Sequence, residues 1–213
     1  MNTDDLITSL AAHAVPVRRG WIVRRIAVGA GLGALGTLAM ITVQLGFRPD
    51  LMVAMHGFAF WMKWTYTISL GVIALLAVAH LARPEATSPR WLWLLAVPVA
   101  ALAALATGEL IRTPTADWPA LWMGLSWKMC STRVATLSLP IFIGLVIAFR
   151  RLAPTRLRLT GAVAGLAAGA CGATLYCLHC PEVSAVFVLT WYTLGIAVAA
   201  GIGALIGPRL LRW

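Results

Sequence analysis

Four cysteines, Cys130, Cys171, Cys177 and Cys180, hold most of the reactive chemistry in this chain. A thiolate is a nucleophile, a redox centre and a soft-metal ligand. Cys177, Leu178, His179 and Cys180 spell C-x-x-C, a redox spacing in thioredoxin-like proteins. There the motif opens a soluble helix after a strand. Here it closes an apolar run, so the motif alone is weak evidence. Metal capture is the second chemistry. Cys130, Cys180 and His179, joined by His56, offer thiolate and imidazole donors suited to Cu(I) or Zn(II), but their spacing is too scattered to define a site. Cys171, in a Gly/Ala-rich run, reads as a small core residue.

The elements that must position these groups are set by hydropathy. Of the 213 residues 61% are hydrophobic and 11% charged, and the mean hydropathy is +0.87. So apolar a surface cannot stay dispersed in water, and it is equally incompatible with disorder. Hydrocarbon is the solvent, and the backbone must then satisfy its own hydrogen bonds, which selects helices. The short alternating segments of an outer-membrane barrel are not present. Apolar runs fall at about 26–47, 58–82, 91–109, 132–149, 159–178 and 184–206. They predict an all-α integral membrane protein with about six transmembrane helices. Residues 1–25 are a cytoplasmic segment, 26–206 the membrane domain with outer loops 48–57, 110–131 and 179–183, and 207–213 a short tail. Residues 1–20 have no apolar stretch of the signal-peptide kind, so the first helix is expected to stay in the membrane.

Charge gives the orientation. Arg18, Arg19, Arg24, Arg25, Arg83, Arg90, Arg150, Arg151, Arg156, Arg158, Arg209 and Arg212 fall on one side, against Arg48, Lys63, Arg112, Lys128 and Arg133 on the other. The positive-inside rule places both termini in the cytoplasm of an inner-membrane protein. The net charge of +10 is therefore a topology signal, and direct binding to nucleic acid is not expected. Cys130 then lies at the end of the outer loop 110–131 and Cys180 in the outer turn 179–183. Both face the periplasm, where a disulfide can persist. Lys63 and Glu109, near the outer ends of their helices, are expected to snorkel or to pair with each other. The midplane lacks the ionisable groups of a transport path. Gly29 and Gly33, and Gly161, Gly165 and Gly169, recur at four-residue spacing. They are expected to pack the bundle internally, with homodimerisation as the alternative.

Residues 1–20 read MNTDDLITSLAAHAVPVRRG. Thr3 suits a helix cap, Asp4 and Asp5 suit its first turn, and Leu6, Ile7, Leu10 and Ala14 form an apolar stripe that ends at Pro16. The stripe needs a cover: the membrane surface, the bundle, or a soluble partner with a groove for a helix.

TDDLI with PVRR, FRPDL after the first span, SWKMC with LSLP, RLTGAVAGLAAG, LHCPE with WYTLGI, and the closing GPRLLRW together resemble the NrsF-like membrane anti-sigma factors. These are negative regulators of an extracytoplasmic-function sigma factor, and the resemblance spans essentially the whole chain. It implies a regulator that sequesters a sigma factor at the inner membrane until a signal arrives. Two periplasm-facing cysteines are implied in sensing and match Cys130 and Cys180. His179 and Cys177 are auxiliary candidates. The resemblance makes Asp4, Asp5, Leu6 and Ile7 the sigma contact, and the apolar stripe adds Leu10. No resident cofactor is implied; a metal ion would enter as the signal. The rival reading is an enzyme: a membrane thiol oxidoreductase using Cys177 and Cys180, with Cys130 as partner thiol, to pass electrons from a periplasmic dithiol to quinone.

Overall fold

The computed structural model describes residues 3–12, 20–83, 90–150, 152 and 154–212, and all regular structure among them is helical. A short helix α1 (Thr3–Ala12) carries Asp4 and Asp5 in its first turn. Ala14 and Pro16, the expected end of its apolar stripe, lie outside the described residues. Helix α2 (Trp21–Met40) continues through a π-helical turn, Ile41–Leu45. After the single turn α3 (Leu51–Ala54) come α4 (Phe58–Leu81) and α5 (Ala96–Arg112), the latter led in by a 3-10 stretch, Arg90–Leu95. Then follow α6 (Trp118–Met123), α7 (Trp127–Leu137), α8 (Leu139–Phe149) and α9 (Leu157–Tyr176). The chain ends with α10 (Ala185–Phe187), a second π turn (Val188–Tyr192) and α11 (Thr193–Leu210).

Among the described residues six helical stretches are long and apolar enough to cross a membrane: Trp21–Leu45, Phe58–Leu81, Leu92–Arg112, Thr115–Phe149, Leu157–Tyr176 and Ala185–Leu210. Their number matches the sequence expectation. The fourth differs most. Residues 110–131 are not a loop: α5 runs on to Arg112, α6 follows at Trp118–Met123, and α7 begins at Trp127. Cys130 is therefore a helical residue. The run WKMCSTR is too polar to register as a span, yet its helix packs into the bundle through Cys130, which is fully buried, while Met129 is exposed.

Pro140 breaks the fourth span, as a proline without an N–H must. Helix α7 stops at Leu137 and α8 starts at Leu139. The Leu137 carbonyl beside the break accepts a hydrogen bond from the Thr37 hydroxyl of α2 at 2.8 Å. A neighbouring helix thus supplies the donor that hydrocarbon cannot. Pro98 needs no such help, because it sits in the first turn of α5.

Helix α9 is the centre of the bundle, packed against α4, α11, α7, α8 and α2. Its glycines and alanines are what allow this. A Cβ on Gly161 would overlap the Gly203 carbonyl, and one on Gly165 would overlap the Ala199 carbonyl. The α9 and α11 backbones touch along this seam, as small residues permit in membranes. Gly29 meets Gly144 in the same way where α2 crosses α8. Both stripes of small residues are thus spent inside the chain.

Candidate functional site

The turn between α9 and α11, residues 177–184, is the point where the ends of the other helices converge. Lys63 of α4 is 1% exposed. Its ammonium donates to the carbonyls of Cys180 at 3.1 Å and Glu182 at 2.6 Å. Glu109 of α5 accepts from the Ser184 hydroxyl at 3.0 Å and from the N–H groups of Ala185 and Val186 at 2.8 and 3.2 Å. The expected snorkelling or mutual pairing of Lys63 and Glu109 is not what forms. Each instead satisfies backbone groups of the turn, because a buried carbonyl or N–H without a partner is costly in this environment.

The segment after α2 closes the other side. The Arg48 N–H donates to the Leu178 carbonyl at 3.1 Å, and its guanidinium reaches the Cys180 carbonyl at 3.4 Å. The same guanidinium pairs with Asp50 at 2.6 Å, and this hydrogen-bonded partner holds the Asp50 carboxyl below the usual carboxylate range. Both nitrogens of the His179 ring are engaged. Nδ1 donates to the Gly46 carbonyl at 2.9 Å, which leaves Nε2 to accept from Arg133 at 3.1 Å.

Within this frame lie the thiols. Cys130 and Cys180 are each 0% exposed and belong to one apolar cluster with Cys177, Tyr176 and Tyr192. The expectation of thiols on an open outer face is corrected here. They do share one end of the bundle, but they are sealed inside it, because α7 starts early and carries Cys130 inward. All four cysteines are free thiols. The Cys130 side chain and the Glu182 backbone both bear on the Cys180 thiol. The first of these, opposed by burial and helped by the nearby Lys63 ammonium, holds the Cys180 thiol below the ordinary thiol range. The two thiols thus sit in unlike surroundings, Cys180 being the one beside the Lys63 ammonium.

Cys177 is different. It caps the end of α9, is buried, and donates to the Ala173 carbonyl at 3.3 Å. Cys171 lies further down α9, its sulfur against Gly71 of α4. Among the described residues no three His, Cys, Asp or Glu side chains are grouped as metal ligands. His56 is exposed, and its ring engages the Met52 carbonyl at 2.8 Å.

A family model described as negative regulator of sigma F, NrsF, matches residues 10–213. This chain belongs to the NrsF family. Two curated NrsF relatives match along the whole of both chains. A protein named probable anti-sigma-F factor NrsF from Azospira oryzae (strain ATCC BAA-33 / DSM 13638 / PS) is 40% identical over 213 residues. One named anti-sigma-F factor NrsF from Caulobacter vibrioides (strain NA1000 / CB15N) is 41% identical over 214 residues. No solved structure matches the chain.

In this NrsF-family chain the other expected contact residues lie apart from the thiols in sequence and on a separate helix. Asp4, Asp5 and Ile7 are exposed on α1; the side chains of Leu6 and Leu10 lie outside the described structure. Helix α2 starts at Trp21 and leads into the 46–50 segment beside the thiols, so α1 precedes the opposite end of α2. Sequence reasoning missed Arg48, Ser126 and Glu182 as parts of the site. A signal was present: FRPD and LHCPE place charges beside prolines in a chain where charge is scarce, which marks turns whose backbone needs partners.

Proposed function

We propose that this chain is a membrane anti-sigma factor that holds an extracytoplasmic-function sigma factor at the inner membrane and releases it when Cys130 and Cys180 are oxidised or capture a soft metal ion. The observation that carries this reading is the packing of Cys130 and Cys180, distant in sequence, in one buried cluster. The relatives' names supply the sigma factor as partner. The positive-inside rule puts the thiols toward the periplasm and the N-terminus in the cytoplasm. On this reading Asp4, Asp5, Leu6, Ile7 and Leu10 form the sigma contact, lipids surround the bundle, and the protein regulates without turnover.

Oxidation by a hydroperoxide is balanced. The Cys180 thiolate attacks the peroxide, the O–O bond breaks and an alcohol leaves after taking a proton from solvent; the Cys130 thiol then displaces the hydroxyl left on Cys180, which departs with the thiol proton as water, so the two sulfurs lose two electrons and bridge. A new bond in so closely packed a cluster must shift the turn and the two helices it joins. The shift transmits a signal only by favouring a state that binds sigma less well. A coupling of roughly 1–3 kcal/mol changes affinity about 5–150-fold.

Two measurements test the reading. Affinity purification from the native host, with mass spectrometry of the partners, should recover a sigma factor, and the Leu6→Asp, Ile7→Asp variant should lose it. Recovery of none, from cells that express one, removes the anti-sigma reading and brings forward the thiol–quinone enzyme. A Cys130→Ser, Cys180→Ser variant should retain sigma and lose inducibility; normal induction would remove the sensor assignment.

A further inference from the structure

We infer that Glu182 is the positioning residue of the thiol pair: its carboxylate pins the start of α7, and with it Cys130, to the turn that carries Cys180. The inference rests on the sensing role proposed above. Glu182 is 8% exposed. Its Oε1 atom accepts three hydrogen bonds: from the N–H groups of Leu125 and Ser126, both at 2.8 Å, and from the Ser126 hydroxyl at 2.9 Å. Ser126 stands immediately before α7, and its side chain makes no cap bond into the helix. The Ser126 carbonyl instead receives the Cys130 N–H at 2.9 Å. One helical turn therefore separates the grip of the carboxylate from Cys130.

On its other side Glu182 is joined to Cys180 through Pro181 alone, whose ring fixes its own φ. Lys63 holds the carbonyls of Cys180 and Glu182, at both ends of that tripeptide. The carboxylate also fits the positive end of the α7 dipole. Gly124 makes room for it. Its φ is 52°, and a Cβ there would overlap the Glu182 carboxylate and crowd Phe187. The chain thus has four connected parts: a rigid link to Cys180, a carboxylate, a three-donor socket, and a first helical turn ending at Cys130. A residue that only added stability would not need to join the two sulfur-bearing segments to each other.

The test uses the full-length protein in detergent and diamide as oxidant. Diamide takes two electrons and two protons from a thiol pair as the S–S bond forms, and is reduced to a hydrazine. The Cys130–Cys180 bridge is followed by mass spectrometry of the linked peptides. Glu182→Ala should slow bridging about tenfold or more, since small losses of alignment have large rate effects. Glu182→Gln keeps an acceptor at Oε1 and should recover most of the rate, with Ser126→Ala falling between. Thermal melting accompanies each, and rates are compared among variants that melt cooperatively. If Glu182→Ala does not fold, Gly124→Ala, which displaces the carboxylate, should give the same slowing. Equal rates in the wild type and the folded Ala variants, or a Gln variant as slow as Ala, would overturn the positioning role. A wild type that forms no bridge would instead sink the redox role of the pair itself.

Discussion

Helices α9 and α11 meet twice, along their glycine seam and through the 177–184 turn, and the two contacts are built from opposite materials. In the seam, Gly161, Gly165, Ala199 and Gly203 bring backbone against backbone, with no side chain free to adjust. In the turn, Lys63, Glu109, Glu182 and Arg48 hold carbonyls and N–H groups by directional bonds. A dispersion contact is indifferent to protons and electrons. A hydrogen-bonded turn around two thiols is not. The seam fixes which helices are neighbours, while the turn can respond to chemistry.

The largest effect that would break this contrast is steric. Gly203→Leu puts a branched side chain where a Cβ already collides, and should destabilise the fold by about 3 kcal/mol. Thermal unfolding in detergent would show it as a lower Tm, while Cys180 in the remaining folded protein keeps its alkylation rate. An unchanged Tm, or a changed Cys180 rate, would erase the distinction between the two contacts.

Lys63→Met should act the other way round. It leaves buried carbonyls short of a donor, at a cost of about 2 kcal/mol, and it removes the cation beside Cys180. The thiol of Cys180 is depressed in the folded protein. The stability its thiolate adds is therefore fully present above the unfolded thiol value and is lost as pH falls through the lower folded value. The wild-type Tm should fall on acidification through that window. In Lys63→Met the midpoint of Cys180 alkylation should move to higher pH, and part of the acid slope should disappear. Coincident alkylation profiles would show that the ammonium does not tune the sulfur.

A smaller effect sharpens the comparison at a third place. Thr37→Val removes the donor to the Leu137 carbonyl at the α7–α8 break, and should cost about 1 kcal/mol. Because α7 carries Cys130, the bridging rate under diamide reports whether the break also sets the thiol geometry. A Tm equal to wild type would mean that the break needs no donor from α2.

Six spans, and Cys130 and Cys180 at one end of the bundle, were legible from sequence, because the bilayer forces long apolar helices and their alternation then assigns every loop. The resemblance carried by TDDLI, SWKMC and LHCPE pointed to Cys130 and Cys180. The start of α7 was not legible: hydropathy averages over a helix, and in WKMCSTR only Cys130 is fully buried. Nor were the partners of Lys63 and Glu109, since opposite charges at like depth suggest pairing when backbone acceptors and donors are out of view.

By itself the sequence determined the solvent, the helical class, the number of spans and the residues able to do thiol chemistry, all of which follow from side-chain type and its period along the chain. Only the tertiary structure decided that Cys130 and Cys180 share one buried cluster, that both are sealed from solvent, and that Glu182 and Lys63 frame them. Those facts depend on contacts between residues far apart in sequence, and each is set by which buried backbone group happens to need a partner.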